Sequence, residues 1–106
     1  MSAYALYVTP QALREMKALP GNVRQRIKRA IAQLADNPQP SASKVLDVSN
    51  MNVGQTGDLL VCRLRIESWR ILYTIDQPER AVDVLAVRKR PPYDYGDLRQ
   101  LLEDTE

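Results

Sequence analysis

From residue 59 to residue 89 the chain repeats with a period of two, and a period of two buries one face only as a β-strand. In 59–67 Leu60, Cys62, Leu64 and Ile66 share one face, and Val61, Arg63, Arg65 and Glu67 the other. In 69–76 Trp69, Ile71, Tyr73 and Ile75 form an apolar face, with Arg70, Leu72 and Thr74 behind it. Residues 81–89 read as a third strand. Only Glu67-Ser68 separates the first two stretches, and only Gln77-Pro78-Glu79-Arg80 the next two. Connections this short join antiparallel neighbours, so the three stretches are expected to form a meander.

Ahead of this meander, residues 3–8 are rich in strand formers. Thr9 is placed to cap a helix that has Pro10 at its first position and Ala12, Leu13 and Met16 as its apolar stripe. Pro20-Gly21 breaks it. A second helix, with Asn22 as the expected cap, carries Val23, Ile27, Ala30, Ile31 and Leu34 on one side and Arg24, Arg26, Lys28 and Arg29 around the rest. Asp36-Asn37-Pro38 ends it, and 37–58 reads as a long connecting loop anchored at Lys44-Val45-Leu46. Gly96-Asp97 is placed to start a C-terminal helix with Leu98, Leu101 and Leu102 facing inward. The expected order is β-α-α-β-β-β-α, an α+β fold in one domain spanning 1–106, with a small, mainly antiparallel sheet. The helical hairpin would cover one sheet face, and the other would lie open and carry the arginines.

The chain has no histidine and one cysteine, Cys62. This removes the commonest general acid–base group and the ordinary zinc ligand sets, so neither a metal nor another cofactor is expected. A lone cysteine suits a reducing compartment. The start of the chain does not read as a secretory signal, and no apolar run is long enough to span a membrane, so a cytoplasmic protein is expected.

The formal net charge of +2 conceals an asymmetry. Residues 94–106 hold five acids and one base, net −4, which leaves 14 bases and 8 acids, net +6, in residues 1–93. Eleven of the 15 bases are arginine, the side chain suited to bidentate phosphate contact. Arg63 and Arg65 point the same way on one strand, Arg70 lies just across the hairpin turn, and Arg88-Lys89-Arg90 ends the last strand. Neighbouring strands lie about 5 Å apart, so a meander can gather these groups into a basic area about 10–15 Å across. Tyr93 and Tyr95 follow at once. Guanidinium groups bind phosphate and aromatic rings stack on unpaired bases, a combination that fits RNA better than duplex DNA. The plainer reading is that Arg63 and Arg65 only solvate the outer face of a sheet.

On these residues the chain resembles the RelE branch of the RelE/ParE toxin superfamily. The resemblance is carried by 62–76, from Cys62-Arg63-Leu64-Arg65 through Trp69-Arg70-Ile71-Leu72-Tyr73, by Leu85-Ala86-Val87-Arg88-Lys89-Arg90, and by Tyr93-Asp94-Tyr95, with Lys44-Val45-Leu46 ahead of them. It implies a RelE/ParE-like fold and a toxin that cleaves messenger RNA in the A site of the 70S ribosome. In that chemistry the ribose 2′-OH attacks the adjacent phosphate and leaves a 2′,3′-cyclic phosphate, without a metal. By the same resemblance Arg63 and Arg65 bind the backbone, Arg70 and Arg90 stabilise the charged phosphorane, and Tyr95, or Tyr93, stacks on the base. Arg88 and Lys89 add RNA contacts. The family often has lysine at the positions of Arg63 and Arg65. A guanidinium, with a pKa above about 12, is a poor proton acceptor, so charge stabilisation and positioning are favoured over general-base chemistry. The resemblance also implies a cognate antitoxin, and contact with operator DNA through the antitoxin complex. Two alternatives stay open: a ParE-like inhibitor of DNA gyrase, and a non-catalytic toxin-fold partner that acts as co-repressor.

Overall fold

A computed structural model describes residues 3–46 and 59–89. In chain order these form β1 (Ala5–Val8), α1 (Pro10–Lys17), α2 (Gly21–Leu34), β2 (Ser43–Val45), β3 (Leu59–Ile66), β4 (Trp69–Asp76) and β5 (Ala81–Lys89). The expected C-terminal helix from Gly96-Asp97 lies outside the described residues.

The five strands form one sheet in the order β1-β5-β4-β3-β2. β3, β4 and β5 pair as the antiparallel meander that their alternation requires. β1 pairs in parallel with β5, from Ala5↔Ala81 to Val8↔Val84. The anchored piece at Lys44 is β2, a short antiparallel edge strand on β3. One irregularity interrupts the meander: Leu72 faces Ala86 but Tyr73 faces Val84, so Leu85 is an extra residue on β5.

α1 starts as its sequence dictates. The Thr9 hydroxyl accepts from the Ala12 amide at 3.2 Å, and Pro10 occupies the first turn, where no amide hydrogen is needed. α2 differs from expectation. It begins at Gly21 with Pro20 as cap and no side-chain capping bond, so Asn22 sits inside the first turn. The connection from α1 is so short that the chain enters the helix directly from the extended backbone of Pro20. At the other end of α1, Arg24 donates to the Lys17 and Leu19 carbonyls, so a cation closes the helix C-terminus.

The helices cover one sheet face. Ala12, Met16, Leu19, Ile27, Ile31 and Leu34 pack against Cys62, Leu64, Ile71, Tyr73, Ile75, Val82, Val84 and Val87 in one apolar cluster. The opposite face is not open along its length, in contrast to the expectation from alternation alone. Val61, Leu72, Leu85 and Ala86 on that side are buried, and they lie outside the helix-covered cluster. The cause is legible in the residues themselves: apolar side chains in the middle of this face are unfavourable in contact with water.

Candidate functional site

Register decides which basic residues meet. Arg65 is directly opposite Arg70, and Arg70 is directly opposite Arg88, so three arginines form one row across β3, β4 and β5. At about 5 Å per strand the row is about 10 Å wide. The next row on this face runs Lys44, Arg63, Leu72 and Ala86. Lys44 therefore stands beside the arginines, a placement that the sequence reading did not assign. Its only signal was its position in the anchored segment.

The three arginines are not equivalent. Arg65 is exposed and Arg63 partly so, and neither makes a side-chain hydrogen bond or ion pair among the described residues. Arg70 is only 4% exposed. Its Nη1 donates to the Glu67 carbonyl at 3.0 Å and to the Trp69 carbonyl at 2.9 Å, which folds the guanidinium onto the β3–β4 turn. A buried cation needs such acceptors to offset its lost hydration. The turn itself is held by Glu67, whose φ of 55° lies in the left-handed region and whose carboxylate pairs with Arg26 of α2.

Arg88 is tied differently. Its Nε donates to Glu15 Oε2 at 3.1 Å. The same carboxylate accepts from the Val87 backbone amide at 2.8 Å through Oε1, and from Gln11 Nε2 at 2.8 Å through Oε2. The reason lies in the sheet edge. β1 accompanies β5 only as far as Val84, and Thr9 then donates to the Val84 and Leu85 carbonyls at 3.0 and 3.3 Å. Farther along, the β5 edge has no strand beside it among the described residues, and Glu15 accepts from its Val87 amide. Sequence reasoning missed Glu15, although it is the only acid in the first 35 residues.

Lys89 is not part of the row. It pairs with Trp69, so alternation puts it on the helix-covered face of the sheet, where it is exposed. Arg90, Tyr93 and Tyr95 lie outside the described residues.

The far end of the arginine face carries the opposite charge. Asp83 pairs with Thr74, and Asp76 lies two residues beyond Thr74 on β4. Burial, and then the nearby Asp76 carboxylate, push the Asp83 pKa above its ordinary value. The face thus runs from a basic end at Arg65, Arg70 and Arg88, over a buried apolar middle, to an acidic end. An anionic backbone is attracted to the first and repelled by the last.

This fold, a small sheet with a helical hairpin on one face, is shared with solved RelE toxins. The archaeal RelE–RelB complex from Pyrococcus horikoshii matches with a TM-score of 0.71 at 20% identity, covering 86% of this chain and 99% of that one. A toxin–antitoxin complex of the RelBE type from Mycobacterium tuberculosis matches at 0.65 and 22%, covering 83% and 99%. The isolated RelE toxin of Escherichia coli matches at 0.58 and 21%, covering 98% and 100%. A sequence model of the ParE toxin of type II toxin–antitoxin systems (parDE) matches residues 6–91. The chain belongs to this family, and it is a type II toxin of the RelE/ParE superfamily. No curated protein matches it.

Proposed function

We propose that this toxin is a metal-independent endoribonuclease that cuts messenger RNA in the A site of the 70S ribosome. The observation that carries the reading is the row Arg65–Arg70–Arg88, with Arg63 beside it. Three guanidinium groups gathered on one sheet face offer several donors at once to an anionic backbone. Exposed Arg65 and partly exposed Arg63 bind the phosphate backbone. Arg70, fixed by two carbonyls, supplies a preorganised charge where the phosphorane develops as the 2′-OH attacks and a 2′,3′-cyclic phosphate forms. Arg90 adds to that charge, Arg88 adds an RNA contact, and Tyr95 or Tyr93 stacks on the base, while Lys89 stands on the opposite face. The ribosome orients the codon, which removes the need for a general base in a site built from guanidinium groups. In the cytoplasm a cognate antitoxin neutralises the toxin, and the complex reaches operator DNA through the antitoxin.

The test is primer extension on a defined message, with programmed ribosomes and without them. Arg65→Ala is the informative variant, because its side chain is exposed and its loss is expected to leave the fold intact. Cuts in the A site that need ribosomes and fade in this variant support the nuclease. A folded wild type that leaves the message whole sinks it.

A second reading is kept because the matching family model is that of the ParE toxin. A ParE-like toxin inhibits DNA gyrase. Loss of supercoiling by purified gyrase, with the message left uncut, selects it.

A further inference from the structure

Glu15 stands at the meeting point of α1, the stretch of the β5 edge that has no strand beside it among the described residues, and the arginine row. Its carboxylate makes two kinds of contact there. Through Oε1 it accepts from the Val87 amide at 2.8 Å, the work that a neighbouring strand's carbonyl does elsewhere in a sheet. Through Oε2 it accepts from Arg88 Nε at 3.1 Å and from Gln11 Nε2 at 2.8 Å. Gln11 lies one helical turn before Glu15 and fixes its rotamer. Both ends of the ion pair are largely shielded, with side-chain exposures of 23% for Arg88 and 20% for Glu15, so the contact is not a loose surface pair.

An acid beside a basic binding row is a paradox if only charge matters, since it weakens attraction to phosphate. Geometry resolves it. Arg88 is the last member of the row and sits on the strand that loses its β1 neighbour after Val84. An arginine there has many rotamers, and ordering it on binding costs conformational entropy. We infer that Glu15 is a positioning residue that holds the Arg88 guanidinium in register with Arg70 and Arg65 and so sets the affinity for single-stranded RNA. The inference rests on the reading of this row as an RNA site.

Glu15→Gln separates the two contacts. The amide oxygen still accepts from Val87, while its NH2 group meets the Arg88 and Gln11 donors and cannot bond them. The two explanations predict opposite signs. If Glu15 acts only as a counter-charge, its removal tightens RNA binding. If it positions Arg88, binding weakens despite the added positive charge.

The measurements are the KM for A-site cleavage and the Kd of toxin alone for a short fluorescein-labelled single-stranded RNA, followed by anisotropy at fixed salt. Glu15→Gln is expected to raise both by about tenfold, the loss of one ordered charge-assisted contact, with kcat little changed. Arg88→Ala is expected to raise them alike, and Glu15→Gln is expected to add nothing to it. Gln11→Ala, on the half-exposed side of α1, keeps the idea testable should Glu15→Gln unfold. It loosens the same carboxylate, and a rise of about two- to threefold is expected.

Unchanged or tighter RNA binding in folded Glu15→Gln overturns the inference, and so does an additive effect in the Arg88→Ala background. RNA binding that weakens in Glu15→Gln and in Arg88→Ala, with a wild type that cuts no message, leaves the inference standing and removes the nuclease. A wild type that cuts the message in the A site, with Glu15→Gln binding RNA as tightly, leaves the nuclease standing and overturns the inference.

Discussion

Arg65 and Arg70 face each other directly across the β3–β4 hairpin, yet Arg65 is exposed to water while Arg70 is only 4% exposed and bonded to the Glu67 and Trp69 carbonyls. The two like charges share one face, and the carbonyl acceptors offset the lost hydration of the buried one. Arg65→Ala is therefore expected to change stability by no more than about 0.5 kcal/mol while lowering A-site cleavage about a hundredfold. Arg70→Ala also strips two carbonyls of their donor and is expected to cost about 2–3 kcal/mol of folding stability. Urea melts beside cleavage assays separate the two. Equal stability loss in both variants contradicts the assignment.

Asp83 offers a test by pH. Its pKa is raised in the folded protein by burial and by Asp76, so ionisation opposes folding. The sign follows from linkage. A group whose folded pKa is raised gives stability that is fully present below the unfolded value, near 3.8, and is lost as pH rises through the folded one. At neutral pH Asp83 thus opposes folding. Asp83→Asn is expected to raise the Tm at neutral pH, and the gain is expected to shrink as the pH falls toward the ordinary carboxylate range. Calorimetry across that range checks it, and a gain that grows in acid refutes it.

Cys62 points into the helix-covered core with no exposed surface, and burial pushes its thiol up to about 11. The thiolate is the reactive form, so the native protein is expected to resist an aromatic disulfide reagent at pH 8 and to react promptly in denaturant. Rapid labelling of folded protein at that pH contradicts the burial.

Tyr73 is fully buried at the centre of β4, and its hydroxyl donates to the Pro38 carbonyl at 2.6 Å, which ties the sheet to the chain leaving α2. Tyr73→Phe is expected to cost about 1–2 kcal/mol, since the carbonyl loses its donor. Burial raises the Tyr73 pKa from 10.0 to about 12, so its contribution is fully present below pH 10 and lost as pH rises through 12. The phenylalanine variant is expected to lack that part of the alkaline loss in a paired set of urea melts.

Local pattern alone settled much of this protein. Alternation in 59–89 identified the meander, because a period of two leaves no other way to bury Leu60, Cys62, Leu64 and Ile66 together. Thr9-Pro10 identified the start of α1, because the capping hydroxyl and the missing amide hydrogen act within one turn. The kinship of Arg63, Arg65 and Arg70 was legible too, since two of them alternate onto one face and the third follows a two-residue turn. Long-range register decided the rest. It placed Lys89 away from Arg88, set Lys44 beside Arg63, and buried one arginine of an opposed pair. It also brought Glu15 to the β5 edge, 72 residues from the amide it accepts from. Such contacts depend on where β1 stops pairing with β5 and on how α1 crosses that edge, and no short-range periodicity encodes either.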